Sequence, residues 1–208
     1  MRIDSLKATP DRAGRYWITT DSGERKALYR QTIEDFGLYA GKELTDQEWE
    51  ELLQCAGQMS AKMRAVRIVS ASGVSKRDLE QRLVRKGEDP QQAKEAVQWM
   101  EDLDLLDDRK TAEQIVSRCI QKGYGLNRAK QVLYEKRIPK SLWDEALENY
   151  PEQGEKISEF LQSRLSGGSD PKEVKRAIDA LLRKGHSYYS IKRALDQLDL
   201  DAEDYPEE

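Results

Sequence analysis

Two hydrophobic rhythms divide this chain. Up to residue 29 the pattern is that of strands: residues 2–8, then Tyr16-Trp17-Ile18-Thr19-Thr20, aromatic and β-branched, then Arg25 to Tyr29. Asp21-Ser22-Gly23-Glu24 predicts the hairpin turn between the last two, with Gly23 supplying the permissive backbone. A lone hairpin is marginal, so the first strand or a helix is expected to support it. Gln31 to Phe36 predicts a short helix ending at Gly37. From Thr45 the period changes to that of helices. Thr45-Asp46-Gln47-Glu48 is a capping box, and Trp49, Leu52, Leu53 and Ala56 follow at helical spacing. Gly57 is expected to break this segment before a second helix over residues 60–71.

The helical part repeats. Leu79-Glu80-Gln81-Arg82-Leu83-Val84-Arg85-Lys86-Gly87 aligns with Ala177-Ile178-Asp179-Ala180-Leu181-Leu182-Arg183-Lys184-Gly185. Ala96 and Ala194, then Val97 and Leu195, then Met100 and Leu198 keep the register. A middle copy fits with Leu133, with Arg137 in the glycine place, and with Ala146, Leu147 and Tyr150. Each copy predicts three helices. Their boundaries carry signals of their own: Ser75 with Asp78 three residues on, Asp89-Pro90, Asp107-Asp108 and Asp170-Pro171 as helix starts, Gly87 and Gly185 as stops. Ser166-Gly167-Gly168-Ser169 predicts a loop. Such units bury little surface alone and share a core when stacked. The expected architecture is therefore mainly α: a β-hairpin and helix extension (1–59), three-helix repeats over 60–108, 109–150 and 151–200, and an acidic tail (201–208). The repeats are expected to form an elongated, curved solenoid.

Composition narrows the function. Charged residues make up 36% of the 208 positions, so any core must come from narrow apolar stripes. Nothing approaches a membrane span or a signal peptide, and a reducing cytoplasm fits the two cysteines, Cys55 and Cys119. With His186 the only histidine, no zinc site, no Cys/His nucleophile and no cofactor is expected. The overall charge of -4 argues against simple coating of nucleic acid, but its distribution is uneven. Residues 109–150 carry 9 basic and 5 acidic side chains, while acidity collects at both ends.

That positive segment contains Lys122-Gly123-Tyr124-Gly125, between two predicted helices. It shares only its glycines with a phosphate loop, lacking a preceding strand and a following GK[ST]. A helix–helix turn needing positive φ is the plainer reading. Tyr124 either caps the core of the middle repeat or presents its ring to a partner. The carboxylates Glu101, Asp102, Asp104, Asp107 and Asp108 read as a solvated helix end and an N-cap rather than a metal site. Basic residues are the best functional candidates. Arg82, Arg85 and Lys86 share a helix face beside Leu79 and Leu83; Lys172, Lys175, Arg176 and Arg183 do the same in the third repeat. In the second, Arg118 and Lys122 precede the glycine turn and Arg128 and Lys130 follow it. A charge-rich face is usually only a solvated face, but a periodic one suits spaced phosphates, single-stranded backbone or an acidic protein groove.

Leu106-Asp107-Asp108, Ala112, Val116, the Lys122-Gly123-Tyr124-Gly125 block, Arg128 and Leu133 together resemble the central motif of the bacterial RecX family of recombinase regulators. The Ser75–Gly87 helix is similar to that family's first repeat, and the hairpin extension to that of its longer members. Thr111 stands where the family usually carries an aromatic. The resemblance implies tandem three-helix repeats and no catalytic residues. It also implies binding, as a monomer, within the groove of RecA-type filaments on single-stranded DNA, with hindered ATPase and strand exchange. Two other readings remain open: a helical DNA-binding module acting without a recombinase, and a protein-only scaffold.

Overall fold

A computed structural model describes residues 1–165 and 170–198. The loop expected at 166–169 and the acidic tail lie outside the described residues. The fold is mainly helical, with tandem helical repeats and one small sheet. The chain divides into two compact units, Met1–Leu106 and Asp107–Glu208.

In the first unit, β1 (Ile3–Leu6), β2 (Arg15–Thr20) and β3 (Arg25–Tyr29) form an antiparallel sheet in that order. The β2–β3 register pairs Arg15 with Tyr29 and Thr19 with Arg25. Gly23 closes the turn at φ 82°, and the Thr20 hydroxyl accepts from the Glu24 amide (3.1 Å). Ile3, Ile18 and Leu28 point to one face and pack with Leu38, Leu44, Trp49 and Leu52. This supplies the support a hairpin needs. A short helix, α1 (Arg30–Asp35), follows β3.

The long helix α2 (Asp46–Ala71) starts with the full Thr45–Glu48 capping box. It spans about 39 Å at 1.5 Å per residue. The break expected at Gly57 does not occur. The helix runs straight through, and Gly57 lies where a Cβ would come within 2.4 Å of the Gln92 side-chain amide. Gly57 thus makes room for the neighbouring α4 (Pro90–Asp102) rather than ending the helix. One end of α2 covers the sheet through Trp49 and Leu52. The other end gives Ala61 and Ala65 to a second core with Leu79 and Leu83 of α3 (Lys76–Arg85) and Ala93, Ala96 and Met100 of α4. Small alanines on α2 let α3 and α4 approach closely. Ser75 caps α3 by accepting from Asp78, and Asp89 caps α4 with Pro90 in its first turn.

The second unit begins with α5 (Asp108–Gln121), capped by Asp107. Thr111 is buried there, and its hydroxyl donates to the Asp107 carbonyl (2.7 Å). Next come α6 (Leu126–Glu135), a 3-10 turn at Lys140–Leu142 and α7 (Trp143–Leu147). The third helix of this copy is therefore short. Pro139 precedes it, and the Trp143 indole N–H ties back to the Ile138 carbonyl (3.0 Å). The last three helices are α8 (Gly154–Arg164), α9 (Pro171–Arg183) and α10 (Tyr188–Asp196), packed around Ile157, Leu161, Ile178, Leu181, Ile191 and Leu195.

The repeat frame is visible in the backbone. Leu83, Leu133 and Leu181 are each at most 1% exposed. After each, the helix stops on a left-handed residue: Gly87 at φ 90°, Arg137 at 59° and Gly185 at 84°. Arg137 takes that conformation without glycine's freedom, because the stop is required at that place.

Candidate nucleic-acid and partner interface

The glycine turn is the best-defined feature of the second unit. Gly123 sits at φ 65°, as a turn between helices needs. Gly125 does not: its φ is -73°. Its reason is space, since a Cβ there would lie 2.1 Å from the Gly185 carbonyl oxygen. Reciprocally, a Cβ on Gly185 would lie 2.2 Å from the Arg128 nitrogen. The start of α6 thus presses onto the end of α9. Helix α6 has no side-chain cap, and its free amides find carbonyls across the contact. Gly125 N–H donates to the Lys184 carbonyl (2.9 Å) and Asn127 N–H to that of Gly185 (3.2 Å). The positive end of one helix meets the negative end of another.

The buried His186 completes this contact, with Nε2 donating to the Gly123 carbonyl (3.1 Å). Burial pushes its pKa below the ordinary 6.5, against the opposing effect of that hydrogen bond, and Lys184 lowers it further. A second tie joins α5 to α8. Lys156 Nζ donates to the Ile120 and Gln121 carbonyls (2.8 and 3.2 Å), the last acceptors of α5. Tyr124 packs half-buried on the middle-repeat core; its carbonyl accepts from the Tyr150 hydroxyl (2.6 Å) and Lys122 Nζ stands 5.9 Å from its ring. Burial drives Tyr150 up to about 12 and also raises the Cys119 thiol, so neither ionises near neutral pH.

Beside this contact lie two basic notches that share Phe160. One, about 330 Å³, is lined by Lys122, Lys156, Lys184 and His186 with one carboxylate, Glu159; the other, about 410 Å³, by Arg164, Arg176, Arg183 and Glu173. Lys184 Nζ is 4.5 Å and Arg164 Cζ 5.6 Å from the Phe160 ring centre. Cations interleaved with an aromatic suit a phosphate backbone and a stacked base. Lys122, Arg176 and Arg183 are therefore gathered here from the sequence candidates. Arg118, Lys130, Lys172 and Lys175 are exposed but line neither notch. Arg128 is paired with Glu135 (3.2 Å). In the first unit Arg82 is held by the buried Asp78 (2.8 Å), whereas Arg85 and Lys86 are exposed. Phe160, Lys156, Lys184 and Arg164 were not expected from the sequence. The Phe160–Arg164 spacing of one helical turn was the available signal, but their partners come from α5 and α9.

The carboxylates show no metal-holding arrangement among the described residues. Glu101 pairs with Lys76, Asp102 accepts from Gln98 (2.9 Å), and Asp107 caps α5.

Comparison with known proteins places this architecture. The family model described as "RecX, second three-helix domain" matches residues 107–147, the stretch from the α5 cap through α7. A regulatory protein RecX of Clostridioides difficile is 26% identical over 203 residues, covering 95% of this chain and 94% of that protein. The chain is similar to RecX regulatory proteins over most of its length. A second relative, regulatory protein RecX of Vibrio campbellii, is 28% identical over 143 residues, 67% of this chain and 92% of its own length. The crystal structure of a regulatory protein RecX superposes with a TM-score of 0.64 at 21% identity, over 94% of this chain and 98% of that one. RecX from Lactobacillus salivarius gives 0.58 at 24% identity, over 69% and 97%. The two structures share the fold. These likenesses support a regulatory protein.

Proposed function

We propose that this chain is a RecX family member that binds a RecA-type recombinase filament on single-stranded DNA and lowers its ATPase and strand exchange. It acts by binding rather than catalysis, as a cytoplasmic monomer. The observation that carries the reading is the family match over the middle repeat, together with basic side chains on each repeat. In this reading the chain works as an extension (1–59) followed by three repeats (60–108, 109–150 and 151–200). Arg82, Arg85 and Lys86 in the first, Arg118, Lys122, Arg128 and Lys130 in the second, and Lys172, Lys175, Arg176 and Arg183 in the third face DNA or recombinase. Tyr124 serves mainly to seat the middle repeat's core. The test is the single-strand-dependent ATPase of the recombinase from the same organism, with and without this protein. Inhibition at or below one protein per recombinase supports the reading, and no change at saturating protein rejects it.

A further inference from the structure

The first unit holds a second cationic site, where Arg82 and Lys86 of the repeat face meet three arginines that no repeat pattern marks. A cleft of about 500 Å³ is bordered by Arg15 at the start of β2, Arg64 and Arg67 on α2, and Arg82 and Lys86 on α3. Its remaining lining is Ala13, Ile68, Ala71 and Ser72, with no acidic side chain. The small residues leave the room, and three separate elements bring five cations around it.

The guanidiniums are held from behind. Arg15 Nε and Nη2 reach Asp11 (3.0 and 2.8 Å), Arg64 lies 2.5 Å from Glu88, and Arg82 Nη2 lies 2.8 Å from Asp78. The Arg64 Nε–Glu88 contact is a close ion pair without hydrogen-bond alignment. Asp78 and Glu88 are themselves buried, their side chains 8% and 7% exposed, so they act as anchors behind the lining. Hydrogen bonds from Arg15, first through its backbone and then through its side chain, hold the Asp11 carboxyl below the usual range. It therefore stays ionised at neutral pH. A carboxylate occupies at most part of a guanidinium's five donors, so each fixed arginine keeps donors for a second anion. Arg67 leans on the Tyr29 hydroxyl and the Met63 carbonyl, and pairs with no carboxylate among the described residues. Five cations against three carboxylates leave a local excess of two positive charges.

We infer that this cleft between the β-sheet, α2 and α3 binds phosphodiester groups of a single-stranded nucleic acid. The inference rests on the reading that the protein works on single-stranded DNA, but it needs no recombinase. Preorganised arginines match a phosphate's paired oxygens, and the open cleft admits a passing backbone. The site would give the first unit a hold on the strand independent of the basic notches in the second.

The test is fluorescence anisotropy of a labelled oligo-dT with the full chain, titrated across a salt series without recombinase. Arg67→Ala/Lys86→Ala removes the two cations that no carboxylate anchors, so no buried acid is left unpaired. For single strands each lost phosphate contact lowers the log–log salt slope by about 0.7, so the double variant should lose about 1.4. Arg67→Lys/Lys86→Arg should keep the slope. Lys7→Ala/Lys94→Ala, which removes equal charge outside the cleft, should leave it unchanged. Inorganic phosphate at constant ionic strength should displace the oligonucleotide only weakly, as expected for a polymer held at several points. An unchanged slope in the double variant, an equal loss in the Lys7/Lys94 control, absence of oligo-dT binding at low salt, or full displacement by millimolar phosphate would each overturn the inference. The filament ATPase, measured separately on the same variants, judges the regulatory reading on its own.

Discussion

Replacing Gly125 by alanine is the sharpest structural test. The new Cβ would meet the Gly185 carbonyl carbon and oxygen at 2.2 and 2.1 Å, and the His186 nitrogen at 2.4 Å. All three are backbone atoms, so no rotamer change relieves the clash. The α6 start must lift from the α9 end. Overpacking costs about 1–3 kcal/mol. The hydrogen bonds Gly125–Lys184 and Asn127–Gly185 are then lost at about 1 kcal/mol each. The expected loss is about 3–5 kcal/mol, which in a unit of this size lowers the melting temperature by more than about 12 °C. Gly57→Ala is the matched control. Its clash is as short on paper, 2.4 Å, but falls on the end of the Gln92 side chain, which can swing away. A gain of about 1 kcal/mol in helix propensity offsets that movement. Urea denaturation with hydrogen exchange at the Gly125 and Asn127 amides reads both variants. A Gly125→Ala protein within about 1 kcal/mol of wild type, with both amides still protected, would refute the account of this contact.

Two further outcomes follow from the same region. Arg137→Gly should raise the unfolding free energy by about 1 kcal/mol, seen as a higher urea midpoint, because the left-handed stop at φ 59° strains any side chain with a Cβ; a lowered midpoint would show that packing of the Arg137 side chain matters more. Because burial lowers the His186 pKa in the folded protein, the unfolded chain binds that proton first on acidification. Stability from this group is thus full above about pH 6.5 and declines as pH falls from there toward the folded pKa. His186→Gln, which can still donate to Gly123, should flatten that part of the urea midpoint against pH, and parallel curves for the two proteins would contradict the assignment.

Much of the fold was legible because its signals are local. The capping box at Thr45, the Ser75 and Asp89 caps and the leucine-to-stop spacing need only neighbours along the chain. Even Arg137, the wrong residue type for a stop, was placed by the repeat frame. What failed was the meaning of particular glycines. Gly57 looked like a break, and both glycines of Gly123-Tyr124-Gly125 looked like turn residues. Gly57 and Gly125 are instead small because another helix or turn, distant in sequence, presses on them. The candidate binding surface divides along the same line. Repeat periodicity singled out Arg82, Lys86, Lys122, Arg176 and Arg183, which line the cleft and the notches. It could not find Arg15, Arg64 and Arg67, or Phe160 and Lys184, because folding alone brings them together.

The central proposal is that this RecX-like protein regulates a recombinase filament through its basic repeats. The most direct measurement is the single-strand-dependent ATPase of the organism's own RecA-type recombinase, titrated with wild-type protein and with Lys122→Ala/Arg176→Ala/Arg183→Ala. Wild type should inhibit at or below one protein per recombinase, and the folded triple variant should need at least tenfold more, a loss of about 1.4 kcal/mol in binding. No inhibition by wild type would contradict the function, and equal inhibition by both proteins would contradict the surface assigned to it.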